Sequence, residues 1–420
     1  MFGFNKKVVN ARFNKRLEQI VEIAQSLSEI QDIDILLERI LTETRKIVNA
    51  DAGSIYIVEG NNLRIKYGQN DTQLKLLAPG EKLPYTYFSF PIDESSISGY
   101  VAKTGCPLNI EDAYKIPEGK PYHFNMETDI TTDYRTRSIY TFPLKIKGGE
   151  ILGVIQIINA MDEEENIVSF SQEAELLINH FASSAVQALQ RAYLTSSMVK
   201  RMLKMAEFRD PKETFPHVER VSSFALEIYD RYAFNHGFSE EYQEKYRDYL
   251  KIGAKFHDVG KVGISDIILK KVYPRFTDEE RSIMKGHTCI GAQLFEPPES
   301  ELDTICQDIA LHHHDRWDGG DSGYPGKIKL SDFDIRDGLV PKTEPLAGEE
   351  IPLAARIVAV ADVFDALSHK RCYKDSWSLD DSFKEIENCS GSHFDPGVVE
   401  AFMQIKDRIC SILDAIPDSE

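Results

Sequence analysis

Nine of the eleven histidines in this 420-residue chain lie at or after His217, and several stand beside acids or other histidines. Glu213 and His217 are four apart, Asp258 follows His257, His287 is placed near a helix end, His313 and His314 adjoin, and Asp362 comes much later. Imidazole and carboxylate donors without thiolate suit iron, manganese, cobalt or nickel at octahedral sites better than structural zinc. Two such ions about 3.5–4 Å apart are what hydrolysis of a phosphodiester calls for, because together they generate the nucleophile and neutralise the phosphoryl oxygens. A carboxylate must then bridge the ions, and Asp258, beside a histidine, is the natural candidate. Lys261 is four residues after His257, so if a helix continues that far its ammonium projects from the ligand side. From there it could contact the scissile phosphate or protonate a leaving oxygen. Satisfied core histidines are the competing explanation, and it needs many independent coincidences. His123, His180 and His236 show no ligand spacing, while His369 and His393 read as solvated or structural.

Those residues need a folded scaffold, and composition supplies one. Apolar residues make up 42% and charged residues 28%, near globular averages, and the length suits two domains with a connector. The formal net charge of −19 disfavours general binding to nucleic acid, so a polyanionic ligand would need a local cluster of cations or metals. No apolar stretch approaches the roughly 20 residues needed to span a bilayer. Met1 to Arg16 carries five basic residues without an apolar core, so it reads as a solvated helix face and not as a secretory signal. The six cysteines contain no C-x-x-C pair, which fits a reducing cytoplasm.

The positioning elements follow from periodicity. Helical spacing runs from Asn14 to Asn49, with a break at Gln31, Asp32 and Asp34. Ser54 to Glu59 and Leu63 to Tyr67 form a predicted hairpin, and Ser138 to Lys147 and Glu150 to Asn159 are two longer strand candidates. Between them Ser95 or Ser96 caps a short helix that stops near Gly105. The expected fold is α+β with an antiparallel sheet over residues 19–189, after an extension at 1–18. A long helix is predicted over 173–208. Ile178, Ala185, Ala192 and Val199, with Ala182, Leu189, Ser196 and Leu203, repeat every seven residues and predict a thin coiled-coil seam in a homodimer.

Two resemblances rest on these stretches. Ser96-Ile-Ser-Gly-Tyr-Val-Ala-Lys-Thr-Gly105, Tyr134-Arg-Thr-Arg-Ser-Ile139 and Gly149-Glu-Ile-Leu-Gly-Val-Ile-Gln-Ile-Ile-Asn159 resemble a GAF domain. The resemblance implies a sensor that binds a small molecule over its sheet or serves to dimerise. Asn159, Phe170 and Glu173 loosely match a motif of cyclic-nucleotide-binding members. Farther on, Phe256-His-Asp-Val-Gly-Lys261, His313-His-Asp-Arg-Trp-Asp-Gly319, Gly323-Tyr-Pro325, Ala361-Asp-Val-Phe-Asp-Ala-Leu367 and Arg371-Cys-Tyr-Lys374 are similar to the HD-GYP phosphodiesterases. That family implies an all-α HD bundle over 206–420 that hydrolyses cyclic di-GMP to pGpG or GMP.

By position, the resemblance makes His217, His257, Asp258, His287, His313, His314 and Asp362 metal ligands. Glu213 takes the place where trinuclear members supply a carboxylate for a third ion, so three metals are expected, with two as the alternative, and iron ahead of manganese. Asp258 and Lys261 carry the chemistry; Lys261, Tyr324, Arg371 and Lys374 bind substrate. Alternatives are a phosphodiesterase for cyclic GMP-AMP and a weakly active cyclic-dinucleotide-binding regulator. The chain departs from the family in three places. Three histidines precede Asp315, which leaves His312 as a packing residue. The stretch Asp318 to Pro325 is two residues longer than usual, and the insertion between Gly326 and Ile351 reads as an inert exposed loop.

Overall fold

The structure is a computed structural model that describes residues 16, 18–84, 88–210, 214–271, 274–369 and 377–418. Glu213, Arg371, Lys374 and most of the basic stretch at Met1 to Arg16 lie outside the described residues. The chain divides into two compact units, Met1–Ser196 and Ser197–Glu420.

In the first unit, helix α1 (18–29) is separated from α2 (Ile33–Val48) at Asp32. The Asp32 carboxylate caps α2 by accepting the N–H groups of Asp34 at 2.9 Å and Ile35 at 3.2 Å. Strands β1 (Ala50–Glu59) and β2 (Asn62–Asn70) then form the expected hairpin, turning at Gly60 with φ of 62°. Both strands run longer than periodicity alone indicated. Helix α3 (Asp71–Leu74) and β3 (Ser89–Pro91) precede α4 (Ile97–Thr104). Ser96 caps α4, and Gly105 ends it in the left-handed region. Strand β4 (Leu108–Ile110), α5 (Glu127–Thr132), β5 (Ile139–Lys145), β6 (Ile151–Met161) and β7 (Ile167–Val168) complete one antiparallel sheet in the order β3-β2-β1-β6-β5-β4, with β7 on β6.

Alternation splits the sheet between two cores. Ile55, Ile57, Phe142, Ile155 and Ile157 pack against α1, α2 and the long helix α6 (Gln172–Arg209), whereas Tyr56 and Val154 pack on the opposite face with Val101 of α4. The long helix matches expectation, but its predicted seam does not face outward. Ile178, Ala182, Ala185, Leu189 and Ala192 pack into the core of their own unit, because the same apolar stripe that could zip to another chain covers the sheet instead. Asn159 is also claimed by the fold: its amide donates to the Tyr134 hydroxyl and to the Arg135 carbonyl, and its Oδ1 accepts from the Arg137 N–H.

The second unit is helical. It comprises α7 (Phe215–Asn235), α8 (Glu240–Ala254), α9 (Asp266–Leu269), α10 (Asp278–Lys285), α11 (His287–Gln293), α12 (Glu301–His312), α13 (Leu353–Ser368), α14 (Leu379–Asn388), α15 (Pro396–Met403) and α16 (Lys406–Ala415). Helix α7 is the hub, packing on α8, α13, α15 and α16. Phe224 of α7, Phe364 of α13 and Phe402 of α15 are fully buried, with ring centroids 5.0–5.6 Å apart. This aromatic core fixes α7 against α13, and each of the two helices carries one of the sequence-predicted ligands. No described helix is long and apolar enough to cross a membrane.

Candidate metal centre

The predicted ligands arrive from five places in the helical unit. His217 sits in the first turn of α7, where the Thr214 hydroxyl accepts its backbone N–H. His257 and Asp258 occupy the turn after α8, His287 begins α11, His313 and His314 follow α12, and Asp362 lies within α13. They converge into two groups. Asp258, His287, His313 and His314 form one, and His217, His257 and Asp362 the other; in each, the ligand atoms all lie within 4.8 Å of one another.

Asp258 faces both. Its Oδ1 lies 3.1 Å from His287 Nε2 and 3.7 Å from His313 Nε2, while its Oδ2 lies 3.4 Å from His257 Nε2. In the second group Asp362 Oδ1 stands 3.7 Å from His217 Nε2 and 3.9 Å from His257 Nε2. One carboxylate oxygen per group is the arrangement a bridging ligand needs.

The backbone orients the rings. Nδ1 of His257, His287 and His313 lies 2.9, 2.7 and 2.9 Å from the carbonyls of Ala254, Met284 and Ile309. A carbonyl only accepts, so each Nδ1 carries the proton and each Nε2 presents its lone pair inward. His217 does the same through Asp365, at 2.8 Å. Burial, reinforced by neighbouring histidines, pushes the pKa of His314 well below the usual imidazole range, and burial lowers His313 as well. Both are thereby kept as neutral donors. Burial alone would raise Asp258, but Lys261 and His257 outweigh it and hold its carboxyl well below the ordinary value.

These residues fit divalent ions. Nε2 of His287 and of His313 and Oδ1 of Asp258 are buried without a hydrogen-bond partner. Leaving such a group unsatisfied costs about 1–3 kcal/mol, and a cation among them removes that cost for all three. The donor set of neutral imidazoles and carboxylates is the one hard-to-borderline transition ions prefer.

Lys261 reaches the centre by a different route from the one its spacing suggested. Helix α8 stops at Ala254, and Lys261 lies in a 3-10 turn, Val259–Gly263, that brings its Nζ within 2.7 Å of Asp258 Oδ2. Tyr324 stacks beside the first group, its ring centroid 4.8 Å from that of His314. His312 stays out of both groups. Its Nδ1 pairs with Asp315 at 2.7 Å, and Asp315 also accepts the Gly326 N–H at 3.0 Å, tying the loop after Tyr324 to the end of α12.

Two acids were not singled out from sequence. Asp365 orients His217, and its signal was present: it stands three residues after Asp362 on one helix. Asp210, buried at the end of α6, lines a small cavity with His257, Asp258 and Lys261. The insertion after Gly326 is not inert either. Its Phe333 is buried in a core with Ile290 of α11, and the Lys327 N–H donates to the Glu344 carbonyl at 2.8 Å.

Comparison with known proteins accords with this architecture. Residues 32–189 match the GAF domain family, and residues 214–367 match an HD domain family, with a further HD domain match over 342–398. A Vibrio cholerae protein named cyclic di-GMP phosphodiesterase is 37% identical over 220 residues, covering 51% of this chain and 40% of the relative. A Thermotoga maritima protein of the same name is 38% identical over 208 residues, covering 50% and 48%. A second V. cholerae protein, 3'3'-cGAMP-specific phosphodiesterase 2, is 33% identical over 224 residues, covering 53% and 37%. The aligned region is thus less than half the length of each of these relatives. The chain contains a GAF domain and an HD domain.

Proposed function

We propose that this chain is a metal-dependent phosphodiesterase that opens cyclic di-GMP to pGpG, GMP or both, under control of its GAF domain. The observation that carries the reading is Asp258, whose two oxygens face two separate groups of inward-pointing ligands. His217, His257, Asp258, His287, His313, His314 and Asp362 would hold two divalent ions, with Glu213 adding a ligand for a third; iron is the first choice and manganese the second. Such ions supply an activated water and neutralise charge on the phosphoryl oxygens.

The chain's own groups do the rest. Asp258 stays ionised at the centre, and Lys261 places a positive charge beside it where the phosphate must enter. Tyr324 offers a ring face to a base, and Arg371 and Lys374 complete the substrate contacts. The named V. cholerae relative supports cyclic GMP-AMP as a second substrate reading. A homodimer through α6 belongs to the proposal, on residues other than Ile178, Ala182, Ala185, Leu189 and Ala192, which pack into the core under the sheet. We place the protein in the cytoplasm, consistent with five free cysteines among the described residues.

Chromatography of products tests the function, using anaerobically purified protein with cyclic di-GMP and ferrous or manganous ion beside Asp258→Ala. Linear dinucleotide or GMP from the parent alone is the expected result. Metal-loaded protein that leaves both cyclic di-GMP and cyclic GMP-AMP intact would refute it.

A further inference from the structure

Beside the histidine groups lies a cleft of about 440 Å³ between α10, the Tyr324 segment and residues 340–345 of the insertion. That volume is within the roughly 300–1,000 Å³ of small-molecule sites. Tyr324 connects the cleft to the ligands, with His314 at 4.8 Å on one side and Lys285 Nζ 4.6 Å from its ring centroid. Three cations line it, Arg281 and Lys285 from α10 and Lys342 from the insertion, against two acids, Asp278 and Asp321. In a chain of net charge −19 this is a local reversal of sign. Among the described residues none of the three cations stands in an ion pair.

The wall is built into the fold. The Thr343 hydroxyl donates to the Pro325 carbonyl, so the segment that carries Lys342 is fastened to the segment that carries Tyr324. Gly326 continues that contact: it sits at φ of 73°, and a side chain there would strike the Glu344 carbonyl. Phe333 anchors the same insertion in the apolar core beneath α11. The segment that carries Lys342 is therefore held on the same cleft as Arg281 by its neighbours' contacts and does not depend on a ligand to bring it there.

We propose that this cleft is the subsite for the second, uncleaved phosphodiester of a cyclic dinucleotide, held by Arg281 and Lys342 while the first lies at the metal centre. The inference rests on the function proposed above and adds to it the residues that distinguish a cyclic dinucleotide from a lone phosphodiester. Arg281 offers a planar fork to two phosphate oxygens, and Lys342 closes on them from the opposite wall as a point charge.

The test compares two substrates in manganese-loaded, full-length protein: cyclic di-GMP, and bis(p-nitrophenyl) phosphate, which has one phosphodiester and no second phosphate. In the double variant Arg281→Ala/Lys342→Ala, the ratio of kcat/KM for cyclic di-GMP to that for the small diester should fall roughly tenfold or more, chiefly through KM. The charge-retaining pair Arg281→Lys/Lys342→Arg should recover most of it. An unchanged ratio in the alanine variant, with the parent active on cyclic di-GMP, overturns the subsite and leaves the parent function standing. A parent that cleaves the small diester but no cyclic dinucleotide overturns both.

Discussion

Asp365 Oδ2 stands 2.8 Å from His217 Nδ1, while Oδ1 of the same carboxylate lies 2.6 Å from Arg220 Nε. The guanidinium is fully buried and is fixed further by the Ile416 carbonyl and the Asp418 carboxylate. Burial pushes the Asp365 carboxyl up, but His217 and Arg220 more than offset it, so the group stays charged in the core. A charged carboxylate on Nδ1 fixes the His217 tautomer and makes Nε2 a stronger donor toward the second ligand group.

Replacing that charge should be felt at the metal. In Asp365→Asn the side chain keeps its size but loses the charge that orients His217. Metal affinity should weaken by about 10–100-fold, the usual loss when the partner of a ligating histidine is removed. Competition with a chromophoric chelator measures this directly. Unchanged affinity would show that Asp365 serves only to neutralise Arg220.

Gly260 sets how closely the turn after α8 approaches α11. A Cβ at this position would collide with the His287 carbonyl and come within 2.9 Å of Gly291 Cα. Both obstacles are backbone, so Gly260→Ala must push α11, and His287 with it, away from Asp258. Overpacking of this kind costs typically 1–3 kcal/mol, and a lowered Tm with weaker metal retention is the expected outcome. Gly148→Ala, where nothing lies within 4 Å of the added atom, is the control. Identical melting curves for the two variants would contradict the steric account.

How far the sequence revealed this site depends on the kind of information each residue carries. His257-Asp258, His313-His314 and Asp362 were legible because adjacent or motif-embedded ligands leave a local mark. The helices of the first unit were legible through breaks and caps such as Asp32 and Ser96, whose hydrogen bonds span only two or three residues. The Asp365–Arg220–Asp418 chain was not, since its members are 145 and 198 residues apart from Arg220 and only the fold brings them together. The seam on α6 failed for a related reason. A heptad stripe reports that one face is apolar, and cannot say whether a sheet or a second chain covers it. The insertion after Gly326 looked inert because turn-rich composition hides the one residue, Phe333, that ties it to the core.

Cysteine reactivity should divide along burial. Burial pushes the Cys289 thiol up to about 11 and the Cys306 thiol up to about 12, so neither forms thiolate near neutrality, whereas Cys106 is exposed. Because the thiolate is the nucleophile, iodoacetamide at pH 8 should modify Cys106 and spare both buried thiols until denaturant is added. Peptide mass spectrometry reads the order. Labelling of Cys289 or Cys306 at the rate of Cys106 in the folded protein would show that α11 and α12 open readily.

Glu213 bears on the number of ions. It lies outside the described residues, but Thr214 caps α7 directly after it, and buried Asp210 precedes it by three. Glu213→Ala should lower bound metal by about one equivalent without altering the circular dichroism of the domain, a loss read by elemental analysis of desalted protein. Equal stoichiometry in variant and parent would remove Glu213 from the ligand set.

Lys261 has two tasks open to it, and the leaving group separates them. Its Nζ is 2.7 Å from Asp258 Oδ2, so it can hold that carboxylate in place, and its ammonium can also give a proton to a departing oxygen. Lys261→Met should lower kcat on cyclic di-GMP by about 10²–10⁴-fold, the range for loss of a positioned proton donor, with metal content retained. If the ammonium donates that proton, the loss must shrink on bis(p-nitrophenyl) phosphate, because p-nitrophenolate departs without protonation. A loss of equal size on both substrates would instead make Lys261 a positioning residue that acts through Asp258. A kcat unchanged on both would remove Lys261 from the reaction altogether.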